Sequence, residues 1–207
     1  MTDCSDGNAM RVLDRALGEA GLFFAVGVVS AALVVLALPG FREMAVGLIQ
    51  FRMLEPVRAV SAFGNLALLV LIFLNNSIPV ALSFAYPALI AKLDWSPPLS
   101  VARRRILLDA FTILTAFLLG FFSVGTPLAV FWVIRGSASL LILLTGAWLH
   151  SPIEITVVLL CVSESARLSS SHSNEEVLLN LQGDLKLMFS SFLVLFGAAV
   201  LESLLGL

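Results

Sequence analysis

Charge is absent from long stretches of this sequence, and this feature decides which folds are open to the chain. Residues 59–91 form an uncharged run of 33 residues, and residues 22–38 and 110–134 are further uncharged runs. A helix needs about 20 consecutive apolar residues to cross a bilayer. Only 13% of the 207 residues are charged and 59% are apolar, whereas an ordinary soluble domain has about 25% charged residues. We therefore expect an integral membrane protein.

The same counts exclude several classes of function. The chain has 12 basic and 14 acidic residues, so it offers no broad basic surface for nucleic acid. Its polar segments are too short to enclose a soluble catalytic core, and the common hydrolase, zinc-protease and phosphate-loop motifs are absent. One histidine lies in an apolar run, and Cys4 and Cys161 lack the spacing of metal ligands. We expect a non-enzymatic protein without cofactor or metal, embedded in the lipid bilayer.

The predicted fold class is all-α, a polytopic transmembrane helical bundle. Residues 1–21 are polar and are expected to form a cytoplasmic tail or interfacial lead-in, followed by one transmembrane domain over 22–207 with a loop at 163–186. A cleaved signal peptide is the alternative for the first span, but the preceding segment is net acidic and lacks a clear cleavage site. The runs predict about five spans, or six if residues 136–162 form two short ones, near 22–39, 60–91, 108–134, 136–163 and 187–207.

Local patterns add detail to this bundle. Apolar residues recur at helical spacing among the charged residues of 41–58, which predicts an amphipathic helix in the headgroup plane after the first span. Ser173 and Glu176 have the spacing of a capping box, which predicts that a helix starts there.

Three prolines predict interrupted helices, at Pro79, Pro127 and Pro152. The run 59–91 is too long for one straight span. We expect it to break or kink near the paired asparagines that precede Pro79, because proline lacks a backbone donor and collides with the preceding turn.

Basic residues set the expected orientation. Across five spans, eight arginines and lysines fall on one side and four on the other. The positive-inside rule then places the amino terminus and the serine-rich loop 169–173 in the cytoplasm and the carboxyl terminus outside a cell membrane. The triplet Arg103, Arg104 and Arg105 is first a topology signal and second a contact for anionic lipids.

Five polar residues lie inside otherwise apolar runs and form the candidate site. A charged side chain at the centre of a membrane helix costs about 2.5–3.5 kcal/mol, so such residues usually face a partner or a water-filled cavity. Two of the five are four positions apart and share one helix face. The candidate intramembrane polar site is Asn75, Asn76, His150, Glu154 and Glu202.

Each of these residues also has a structural interpretation. His150 and Glu154 can be interhelical glue, or can line a proton or ion pathway with Glu202. The asparagines can satisfy the backbone groups freed by Pro79, or line the same pocket, and Glu202 can be solvated at the outer headgroup level. Convergence of the set around a cavity favours binding or transport, whereas convergence without space favours glue.

Three motifs occur in one order along residues 22–207. They are Asn75-Asn76 within 73–81, His150-Ser151-Pro152-Ile153-Glu154 within 149–155, and Ala198-Ala199-Val200-Leu201-Glu202 within 197–203. In their order and spacing the chain resembles the stage II sporulation protein M family, as a divergent member. That family carries an Asn-Asn segment, a Pro-His-Gly-Xaa-Xaa-Glu segment and a closing Ala-Ala-Xaa-Xaa-Glu-Ala-like segment. The chain departs from this pattern at Leu149, at Ser151 and at Phe84, Ala85 and Tyr86, which stand where the family tends to have Pro, Gly and glycines.

The resemblance implies an all-helical membrane protein that, in spore-forming bacteria, belongs to a complex with peptidoglycan-remodelling partners needed for engulfment. It also implies that the five polar residues form a shared functional site. We therefore expect a non-enzymatic scaffold or component of a membrane complex, acting as a homo-oligomer or with membrane partners. The alternative is a transporter or channel-like component with an intramembrane polar site, which interrupted helices would suit. Intramembrane hydrolysis is a distant third.

Overall fold

The computed structural model describes residues 3–51, 55–61, 63–93, 99–134, 136 and 151–205. Within these ranges the chain forms helices and no strand, in agreement with the predicted all-α class. The helices are α1 (Asp3–Ala37), α2 (Pro39–Ile49), α3 (Glu55–Ser61), α4 (Asn65–Lys92), α5 (Val101–Ile134), α6 (Ser151–Leu168), α7 (Asn174–Gly183) and α8 (Leu185–Leu205).

Four of these helices are long and apolar enough to cross a membrane. They are Leu13–Ala37 of α1, the whole of α4 and α5, and Leu185–Leu204 of α8. Large apolar side chains such as Leu33, Leu74 and Leu193 are exposed along them. An apolar surface of this kind suits lipid tails rather than water, so these helices support the expected membrane-embedded protein.

The remaining expected span, residues 136–163, is described only in part, since residues 137–150 lie outside the described ranges. Its second half belongs to α6, which carries Glu154, Glu164 and Arg167 and is not among the four candidate spans. α6 packs against α1, α4, α5 and α8. It therefore occupies the centre of the bundle and contributes much of its buried core.

The break expected at the asparagine pair is not present in α4. The uncharged run 59–91 divides instead at Gly64, whose φ of +91° places it in the left-handed region that glycine adopts readily. From Asn65 the helix continues without interruption past Pro79 and Pro87. Because α6 and α8 pack along α4, neighbouring helices stabilise this segment despite the missing backbone donors.

α5 is likewise continuous where Pro127 was expected to interrupt it. Residues Leu119–Gly125 widen into a π-helical segment just before this proline. The Thr126 hydroxyl donates to the carbonyl oxygen of Phe121 at 2.8 Å, so a side chain adds to the bonding of the widened turn. A π-helical turn inside a helix is rare and occurs often at functional sites.

The π-helical segment lies directly against α1, so close that backbone atoms of the two helices are in contact. A Cβ atom on Gly120 would lie 2.1 Å from the carbonyl oxygen of Phe24, and one on Gly27 would lie 2.3 Å from that of Phe117. A Cβ on Gly125 would lie 2.8 Å from the Val28 backbone. Small residues allow membrane helices to approach this closely, and here they fix α1 against the second half of α5.

The amino-terminal segments differ partly from the expected division. The polar lead-in is not separate from the first span, because α1 runs as one helix from Asp3 to Ala37. After it, α2 and α3 overlap the two ends of the segment predicted to be amphipathic. Phe41, Ala45 and Ile49 of α2 pack against Val35 and Val130, so one face of α2 contacts the bundle.

The predicted helix start in the polar segment 163–186 is confirmed. α6 extends to Leu168, and α7 begins at Asn174 with Ser173 as its N-cap. The Ser173 hydroxyl accepts a hydrogen bond from the Glu176 backbone N–H at 3.1 Å. The Glu176 carboxylate accepts from the His172 N–H at 2.6 Å, one residue earlier than in a standard capping box.

Candidate functional site

Four of the five candidate residues line one cavity. α4 supplies Asn75 and Asn76, α6 supplies Glu154 in its first turn, and α8 supplies Glu202 in its last turn. The cavity that they share has a volume of about 520 Å³. These four side chains therefore converge, and they surround space instead of forming a filled core.

A chain of hydrogen bonds leads from α4 to α6 along this cavity. Asn76 Nδ2 donates to Glu154 Oε1 at 2.7 Å. Asn75 Nδ2 donates to Asn76 Oδ1 at 3.4 Å, a longer and weaker contact. Asn76 thus donates to the carboxylate and accepts from Asn75, and its bond to Glu154 joins two residues that are 78 positions apart in the sequence.

The second carboxylate of the cavity interacts with the first. Glu202 lies close enough to Glu154 for the two groups to repel each other electrostatically. Both side chains are half-buried, where charges are screened less than in open water. Such a pair favours a cation or a proton between or beside the two carboxyl groups.

The rest of the cavity wall is mostly apolar. Phe24, Phe41 and Phe122 contribute aromatic side chains from α1, α2 and α5, and Ser123 and Thr126 contribute hydroxyl groups. No lysine, arginine or histidine is among the described residues that line the cavity. The site is thus an apolar chamber whose principal polar groups are two carboxylates and two amides.

His150 lies outside the described residues, so its pairing with Glu154 stays a prediction. Where the structure describes the chain, no group of three or more His, Cys, Asp or Glu side chains is placed to hold a metal ion. The carboxylates of Glu154 and Glu202 can attract a cation, but the described wall does not supply the full oxygen shell that a bare divalent ion needs.

The arginine triplet is divided by the fold. Arg103 and Arg105 are exposed, whereas Arg104 is only 2% exposed. Arg104 donates to Asn174 Oδ1 at 2.7 Å and to the Ser171 carbonyl oxygen. This corrects the assignment of Arg104 as a lipid contact, because its guanidinium links α5 to the serine loop. The lipid and topology roles stay predictions for Arg103 and Arg105.

A second polar cluster, which sequence reasoning missed, lies near this end of α6. Arg167 pairs with both Glu164 and Asp184, and the exposed fractions of the three side chains are 19%, 6% and 21%. The cluster joins the end of α6 to the junction of α7 and α8. In the sequence these charged residues stand next to apolar runs. That pattern fits charges in water at the ends of spans as well as it fits a buried cluster of ion pairs.

Sequence reasoning also missed the wall that α5 gives to the cavity. The sequence Gly125-Thr126-Pro127 marks an irregular helix, but nothing in it indicates that the turn widens toward α1 and the cavity.

In comparisons with family models, curated proteins and solved structures, nothing matches this chain. The resemblance to the stage II sporulation protein M family stays a prediction that rests on the order and spacing of its motifs.

Proposed function

We propose that this chain is a transporter or channel-like membrane protein that binds its solute in the cavity between α4, α5, α6 and α8. One observation carries the proposal: Asn75, Asn76, Glu154 and Glu202 share a single cavity. Polar groups in apolar helices are usually retained where they serve a site or a water-filled path. The volume of about 520 Å³ lies within the range of about 300–1,000 Å³ typical of small-molecule sites.

The proposal includes five spans, with residues 136–163 as the fourth, and a cytoplasmic amino terminus in the cell membrane. Its support is the hydrogen bond from Arg104 to Asn174 at 2.7 Å, which brings the start of α5 and the start of α7 to one end of the bundle. Under this proposal α5 makes one crossing between those points and residues 136–163 make the return crossing. The cavity then lies in the outer half, and α2 and α3 lie in the outer headgroup plane.

Replacement of Glu154 with glutamine tests this function. In proteoliposomes under a gradient of methylammonium, we expect the native chain to move charge and Glu154→Gln to reduce the rate by at least about tenfold, because a cation loses its main electrostatic attraction. Glutamine keeps an oxygen for the Asn76 amide, so the fold is retained.

Glu175→Gln is the matched control, since Glu175 is exposed in the first turn of α7 and does not line the cavity. It should transport at the native rate. No flux above that of empty liposomes, or flux that is the same in Glu154→Gln, would remove the transport proposal.

A scaffold within a membrane complex is the second candidate. It is supported by the motif resemblance and by the Asn76–Glu154 hydrogen bond of 2.7 Å, which ties α4 to α6 as interhelical glue does. Such bonds contribute about 0.6 kcal/mol on average within membranes. In this case the polar residues hold the bundle together and the loops recruit partners.

Purification in a mild detergent tests the scaffold function. We expect a scaffold to elute as a discrete homo-oligomer or with stoichiometric membrane partners, measured by light scattering and mass spectrometry of the intact complex. A strictly monomeric particle without partners would contradict it.

A further inference from the structure

We infer that the ligand of this cavity is an organic cation with an apolar body, which extends the proposed transport function of the same site. The residues that line the cavity indicate the sign of the ligand's charge. Among the described residues that line the cavity, the charged side chains are Glu154 and Glu202, and both are acidic. Because both carboxylates line the same cavity, a cation inside it is attracted by each of them.

The hydrogen bonds favour the same sign. The amide donor of Asn76 is already directed to Glu154 Oε1, and that of Asn75 is directed to Asn76 Oδ1. Glu154 Oε2 accepts no hydrogen bond from the residues that the structure describes. The site therefore offers acceptor oxygens more readily than donors, which suits an ammonium group and disfavours a carboxylate or phosphate.

The size and lining of the cavity distinguish an organic cation from a bare ion. A bare Ca²⁺ takes about 6–8 oxygen ligands, whereas this wall is dominated by apolar side chains. Three phenylalanines, Phe24, Phe41 and Phe122, line it, and aromatic faces attract organic cations as well as apolar groups. A volume of about 520 Å³ accommodates a molecule with both an ammonium or phosphonium centre and an apolar body.

A pair of probes with one shape and opposite charge tests this inference. Tetraphenylphosphonium and tetraphenylborate are each titrated onto the full chain in nanodiscs, with empty nanodiscs as the blank, and Rb⁺ is the inorganic competitor. We expect saturable binding of tetraphenylphosphonium that weakens about tenfold, or about 1.4 kcal/mol, in Glu202→Gln and in Glu154→Gln. Glu175→Gln should bind like the native chain.

Equal binding of the two probes would overturn the inference, and so would binding of tetraphenylphosphonium that is unchanged in both cavity variants. Displacement of the probe by millimolar Rb⁺ would also overturn it, because the site would then be selective for small ions. The outcome is separable from that of the transport proposal. Charge-selective binding without flux supports the ligand class and contradicts transport. Flux that depends on Glu154, without binding of the probe, supports transport and contradicts the ligand class.

Discussion

Alanine at Gly120 is expected to reduce the free energy of unfolding by about 3 kcal/mol. The added Cβ would lie 2.1 Å from the carbonyl oxygen of Phe24 and 2.9 Å from its carbonyl carbon. Both are backbone atoms of α1, so no side-chain rotation relieves the overlap and two helices must separate. The measurement is equilibrium unfolding in mixed micelles, followed by far-ultraviolet circular dichroism. Gly27→Ala should behave similarly, because its Cβ meets the Phe117 carbonyl oxygen at 2.3 Å.

Glycines without close neighbours provide the control. Gly21 lies on α1 and Gly197 on α8, and a Cβ on either would meet no atom within 4 Å. Alanine at these positions should leave stability within about 0.5 kcal/mol of the native value. If Gly120→Ala were as stable as Gly197→Ala, the close packing of α1 against the π-helical segment would be wrong.

Methionine at Arg167 is expected to lower the free energy of unfolding by about 3 kcal/mol. The substitution keeps much of the side-chain volume but removes the guanidinium that pairs with Glu164 and Asp184. The Glu164 side chain is only 6% exposed, so its charge would be left without a partner in a poorly solvated place. Thermal unfolding in detergent at constant pH measures the effect.

Two further variants identify the cause. Arg15 pairs with Glu19 on the surface, with side chains 83% and 50% exposed, and Arg15→Met should change stability by less than about 1 kcal/mol. Adding Glu164→Gln to Arg167→Met should recover part of the loss, because it removes the unpaired charge. Equal effects of Arg15→Met and Arg167→Met would show that the cluster contributes no more than a surface ion pair.

Features that depend on neighbouring residues in the chain were predictable from the sequence. Each long uncharged run supplies a helix, and the start of α7 at Ser173 follows from a side chain that bonds the backbone three residues ahead. The break of the run 59–91 was not predictable in the same way. Gly64 and Pro79 are both breaking signals, and only the packing of α6 and α8 along α4 keeps the second of them helical.

The same division holds for the candidate site. Polar residues in apolar runs stand out in a sequence because hydrocarbon excludes them, and the sequence alone therefore predicts Asn75, Asn76, Glu154 and Glu202 as site residues. The sequence does not indicate that the helix carrying Glu154 would occupy the bundle centre, nor that Arg104 would turn inward while Arg103 and Arg105 stay exposed.

By itself, the sequence determined that this protein lies in a lipid bilayer and that its apolar runs form helices there. It also determined which polar residues are costly to place in a bilayer. Tertiary structure alone decided that α4, α6 and α8 bring four of those residues to one cavity, and that Gly27 and Gly120 let two backbones touch. The reason is physical. Partition into a bilayer depends on the composition of each segment, whereas a cavity depends on contacts between residues far apart in the chain, such as the Asn76–Glu154 bond across 78 positions.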